Sequence, residues 1–180
     1  IRPLAVELTW SNTAFTYNGS EQCPAAAVSN KVNEADQVNV TVTGGQTNAG
    51  DTPYTASATG LARGEAGNYP LAGCQNTTQT FTIGKAAPTV SEIMVDSPDI
   101  LYDTTELSAI TLSHTGTEGN LVLDGNQTLT VGEEDYAWTF TPADGNNYTT
   151  ATGSIKLTVA EDTVQSIAVT KAPDKTEYIY

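Results

Sequence analysis

The sequence predicts an all-β protein built from two small modules in tandem. Three observations carry that expectation. Apolar residues alternate with polar ones at a period of two, glycine and asparagine punctuate the chain at short intervals, and a set of tyrosine-centred landmarks occurs twice in the same order.

The alternation is clearest where Val38, Val40 and Val42 interleave with Asn39, Thr41 and Thr43. At two residues per repeat a strand turns the three valines to one face and the polar residues to the other. Comparable runs predict strands over 4–10, 13–17, 25–28, 38–43, 54–59 and 78–83 in the first copy. In the second copy they predict strands over 92–95, 100–102, 109–112, 120–123, 136–141 and 154–159. Turn residues fall between them, as at Asn18 with Gly19, Gly44 with Gly45 and Gly50 with Asp51. The best helical candidate, 25–35, lacks a sustained period of 3.6.

The repeat sets the organisation. Tyr17 and Tyr102 lie 85 residues apart in matching runs, Tyr54 and Tyr136 lie 82 apart, and the turns ending in Tyr69 and Tyr148 lie 79 apart. An offset that shrinks along the chain means shorter surface loops between retained strands in the second copy. The expected modules are 1–86 and 87–160, joined by a linker at 85–88 whose Pro88 ends a strand ladder and limits bending. Residues 161–180 match neither copy and read as the start of a third, incomplete module. A chain that starts at Ile1 and stops at Tyr180 in an apolar, aromatic run reads as a segment of a longer ectodomain.

Charge narrows the partners. Seven Lys+Arg against 21 Asp+Glu give a formal net charge of −14, which repels nucleic acid and anionic lipid alike. No apolar stretch approaches the roughly 18 residues of a membrane span, so no membrane insertion is expected in this segment. The two cysteines, Cys23 and Cys74, are expected to form a disulfide, whose loop closure is worth roughly 4 kcal/mol in the chain-entropy model. Two unrelated buried thiols are the alternative, because sequence does not supply the Cα separation a bridge needs.

The residues also carry a resemblance. Trp10, Phe15, Tyr17 and Gly19, then Pro24, the valine run to Gly44, Gly50, and the ending from Gly67 and Tyr69 to Phe81 and Ile83 look like the MBG (mucin-binding, β-grasp-type) repeats of bacterial surface proteins. The second copy, with Gly132, Trp138, Pro142, Asp144, Tyr148 and Val159, is similar to a YDG or Ig-like repeat. The tail, with Ile167, Val169, Pro173 and Tyr178, resembles the opening of a bacterial Ig-like domain. The resemblance implies tandem small β-sandwich (Ig-like) modules, or helix-poor β-grasp-like modules as the alternative. It implies a location outside the cell, at the cell surface or wall, and partners among neighbouring modules of the same chain or host mucin, glycoprotein or glycan. Cys23 and Cys74 lie outside the recognised pattern.

Candidate chemistry is sparse. The one histidine, His114, is expected on the solvent face of a strand, with no carboxylate and pocket identified to make it an acid or base. Asp124, Asn126, Asp144 and Asn147 offer oxygen ligands for Ca²⁺ at a module junction, but they read better as turn residues, because the twelve-residue loop with its terminal Glu is missing. Trp10 and Trp138 recur at strand positions that core packing explains better than sugar stacking. Lys156 or Lys31 would be the amine of a Lys–Asn isopeptide bond. No nucleophile, base and orienting group assemble, so no enzyme and no cofactor are expected. The expected role is a non-catalytic extracellular stalk or spacer. A host glycoprotein or carbohydrate-binding module and an accessory region of a secreted hydrolase are the alternatives.

Overall fold

A computed structural model describes residues 5–62, 64–97 and 99–163. Of the expected third module, residues 164–180 lie outside the described residues.

Among the described residues the regular structure is nearly all β, eleven strands with two short 3-10 turns. In the first half, β1 (Leu8–Ser11) pairs antiparallel with β3 (Ala25–Val28) as a two-stranded ribbon. A four-stranded sheet runs in the order β2-β6-β5-β4, from β2 (Ala14–Thr16), β4 (Asn39–Thr43), β5 (Tyr54–Ala62) and β6 (Thr78–Gly84). Its outer pair β2 and β6 is parallel, and the other pairs are antiparallel. In the second half, β7 (Val90–Val95) and β8 (Leu112–Gly116) form a ribbon. A sheet of order β11-β10-β9 joins β9 (Gly119–Leu123), β10 (Gly132–Pro142) and β11 (Ala151–Val159). A single parallel bridge from Leu101 to Ala160 stands where β2 stands in the first half. The two halves therefore share one pairing scheme, a ribbon plus a sheet whose last strand is flanked by a parallel partner.

Buried side chains separate the same way. In the second half one cluster gathers Phe140, Tyr136, Trp138, Leu157 and Val159, with Val90, Ile93 and Leu112 of the ribbon packed on it. The first half holds two clusters. Val6, Leu8, Val28, Ala58 and Tyr69 form one, and Ala56, Phe81 and Ile83 form the other, bridged by the half-buried Trp10. Phe81 and Phe140 are almost wholly buried, and each such burial contributes about 1.5–3 kcal/mol. The expected alternation in β4 is present: Val38, Val40 and Val42 are half-buried while Asn39, Thr41 and Thr43 are exposed. A bulge on the facing strand splits its load, because Thr41 pairs with Gly60 but Val42 with Ala58, leaving Thr59 unpaired. Val40 packs on the Tyr69 cluster and Val42 on the Phe81 cluster. Across β10 and β11 Trp138 faces Gly153. A Cβ there would run into the indole ring, so glycine is required.

Three expected strands differ. Residues 109–112 are not one strand: Leu107–Ala109 form a 3-10 turn, because Leu107 and Ile110, three apart, both turn onto the core. The strand follows at β8 and carries His114. Residues 100–102 shrink to one bridge because the chain turns at once, Thr105 N–H donating to Leu101 O and Asp103 lying at φ 64°. Of the described residues of the strand expected over 4–10, only Leu8 onward is paired in a ladder.

Candidate functional site

The most developed polar arrangement lies where the halves meet, and it begins with the turn between β10 and β11. Asp144 opens that turn by accepting the Asn147 N–H at 3.2 Å through Oδ1, while its carbonyl accepts the Tyr148 N–H at 3.1 Å. This is the local side-chain bonding that favours aspartate at turns. The turn presents Asn147 and Tyr148 to the first half. Asn147, at 6% exposed, is the buried polar residue among the described side chains.

Every polar group of the Asn147 carboxamide is satisfied. Its Oδ1 accepts the backbone N–H of Ala49 at 2.8 Å, and its Nδ2 donates to Asn48 Oδ1 at 3.1 Å and to Asp144 Oδ2 at 2.8 Å. The Asn147 carbonyl accepts the Ala86 N–H at 2.9 Å, and Thr149 N–H returns to Ala86 O at 2.9 Å. Ala86 and Tyr148 thus form a parallel bridge, so the linker is itself a one-residue strand. Lys85 Nζ donates to Gly145 O at 2.7 Å. Tyr148 sets its ring edge-on to Tyr17, with centroids 5.4 Å apart and an 82° interplanar angle, a geometry worth about 0.5–1.5 kcal/mol beyond area burial. A cleft of about 200 Å³ beside it is lined by Gly50, Asp51, Lys85 and Asn146. It is smaller than the roughly 300 Å³ at which small-molecule sites begin.

Other residues singled out in the sequence are engaged locally. Asp124 Oδ1 accepts the Thr139 hydroxyl at 2.7 Å, and both Asp144 oxygens serve the turn. His114 is half-buried and not on a free solvent face: its ring stacks edge-on against Phe140 at 4.9 Å. Trp138 is core, and Trp10 Nε1 donates to Asn76 O at 2.9 Å. Lys156 Nζ lies 3.2 Å from Glu133 Oε1 with both side chains well exposed, and that carboxylate raises the ammonium pKa. Lys31 Nζ donates to the Glu34 and Asp36 carbonyls. Among the described residues neither ammonium is hydrogen-bonded to an asparagine side chain.

The expected disulfide is corrected: Cys23 and Cys74 are free thiols. They belong to different clusters, Cys23 against Phe81 and Ile83, Cys74 against the Tyr69 group. Cys74 Sγ donates instead to Asn76 Oδ1 at 3.1 Å. Burial raises the Cys23 thiol pKa, with Glu21 adding to it. Sequence reasoning placed Asn147 in a turn but missed that its side chain crosses to the other half. The available signal was the Asn-Tyr landmark itself, shared with Asn68 and Tyr69.

Among the described residues no helix is long and apolar enough to cross a membrane. No family model matches the chain, and no curated protein matches it.

Proposed function

We propose that this chain is a non-catalytic repeat segment of a bacterial cell-surface protein, a stalk or spacer of small sandwich modules of the MBG and Ig-like kind, working outside the cell. The observation that carries the reading is the junction. A linker of the usual flexible type leaves two modules free to reorient, whereas here Asn147, Thr149 and Lys85 tie linker and loop together by hydrogen bonds across sequence separations of 60 and more, and Tyr148 adds its ring contact with Tyr17. A spacer needs that stiffness and little else. An acidic surface with net charge far from zero also resists self-association.

Small-angle scattering of residues 1–180 tests the reading. A stalk gives one fixed elongated particle, and the Asn147→Ala chain gives a broader spread of maximum dimensions. Saturable binding of the intact chain to mucin or to members of a glycan array would overturn the spacer role in favour of a recognition module.

A further inference from the structure

Two exposed asparagines of the first half make the same local turn. Ser20 N–H donates to Asn18 Oδ1 at 2.9 Å, and Ala35 N–H donates to Asn33 Oδ1 at 3.1 Å. Each bond folds the carboxamide back over the next peptide, which holds Cγ beside the nitrogen of the following residue. That following residue is where the two turns differ. Asn33 precedes Glu34, whose side chain crowds its own nitrogen and whose charge opposes the loss of a proton there. Asn18 precedes Gly19, which lies at φ 79° with open space where a Cβ would stand. Asn18 and Gly19 are the one Asn-Gly pair in the sequence.

Three other asparagines have both ends of the carboxamide tied. Asn30 accepts the Glu7 N–H and donates to Ala5 O, and Asn76 pairs with the N–H and carbonyl of Leu8. Asn147 is buried with its oxygen and nitrogen both bonded. Asn18 Nδ2, by contrast, has no hydrogen-bond partner among the described residues, so nothing in the fold retains it as a leaving group.

We propose that Asn18 is a site of spontaneous covalent modification, deamidating through a cyclic imide with water as the co-reactant. The Gly19 backbone nitrogen attacks Asn18 Cγ and gives up its proton to solvent. The Cγ–Nδ2 bond breaks, and Nδ2 takes up a proton and leaves as ammonia. The Ser20 N–H bonded to Oδ1 stabilises the negative charge that builds on that oxygen as the new bond forms. Water then adds to either carbonyl of the imide and opens it to aspartate or isoaspartate, with no change of oxidation state. The neutral carboxamide becomes a carboxylate. The fold accepts a carboxylate at the matching place in the second half, where Asp103 follows Tyr102. The isoaspartate form instead lengthens the main chain by one carbon directly after Tyr17, the ring that meets Tyr148 at the junction. The chemistry needs no ligand and stands whether the chain is a spacer or a recognition module.

Peptide mapping of the intact chain by mass spectrometry, after incubation at mildly alkaline pH, tests the proposal. Asn18 is expected to gain the mass difference between a carboxamide and a carboxylic acid about tenfold or more faster than Asn33, and to yield both aspartate and isoaspartate. Gly19→Ala is expected to slow the gain about tenfold or more. Asn18→Gln, an exposed change that leaves the core alone, is expected to remove it, because the longer side chain closes its ring less readily. Equal rates at Asn18 and Asn33 overturn the proposal, as does an unchanged rate in Gly19→Ala. Aspartate as the sole product overturns the cyclic route.

Discussion

The two Asn-Tyr turns, one in each half, start from the same sequence landmark and end in opposite environments. Tyr69 turns into its own module and is 2% exposed, its Oη donating to Asp36 Oδ2 at 2.5 Å and accepting the Val32 N–H at 3.0 Å. Tyr148 turns outward onto Tyr17, while its neighbour Asn147 caps a loop of the first half. One copy uses the motif to close a core and to pin residues 32–36. The other uses it to join modules. The difference teaches that a duplicated turn can be reassigned from folding to assembly without changing its residue types, once the loops around it change length.

The sharpest way to break that comparison is to disable one core and watch the other. Phe140→Ala removes the most buried ring of the second half, at an expected cost of about 3–5 kcal/mol. Because the buried clusters do not mix, amide exchange in 90–159 is expected to accelerate while 38–62 stays protected. Uniform acceleration would show one shared core.

The junction should respond next. Asn147→Ala leaves the Ala49 N–H and Asn48 Oδ1 without partners, for an expected loss of about 1–3 kcal/mol in the second transition of a denaturant melt. Asn147→Asp should cost more, since it sets a carboxylate against Asn48 Oδ1 and Asp144. If the two substitutions prove equal, the capping account is wrong.

The inward tyrosine gives a pH signature. The hydrogen bond to Asp36 is the largest cause raising the Tyr69 pKa above its ordinary 10.0. A folded value above the unfolded one means stability that is whole below pH 10 and lost as pH climbs through the raised value. Tyrosinate absorbance should show a late-titrating ring that Tyr69→Phe removes. The smallest effects concern the thiols. Alkylation without reductant should add two labels per chain, with Cys23 reacting fast only above the ordinary cysteine range. A mass showing one internal bridge would contradict the separate clusters.

Much of this fold could be read from residue pattern, because period-two alternation reports directly on which face is buried. The β4 valines and the β10 and β11 strands follow it, and the tyrosine offsets pointed to a common pairing scheme. Pattern failed where turns and not ladders bury the apolar residues, as at Leu107 and Ile110, and where a strand carries polar residues, as at β8 with Ser113, His114 and Thr115. The expected cysteine bridge came from an even count, which holds no information on which cluster each thiol joins. Asn147 was legible as a turn residue only. Its partners Asn48 and Ala49 lie almost a hundred positions away, and no local rule reaches that far.

The central claim is that two separately cored halves are held at one fixed angle by the Asn147 turn. Residual dipolar couplings measured for the amides of 38–62 and of 119–159 in one weakly aligned sample test it most directly. A single alignment tensor should fit both sets in the native chain, and two tensors should be needed after Asn147→Ala. Two unrelated tensors in the native chain would contradict it.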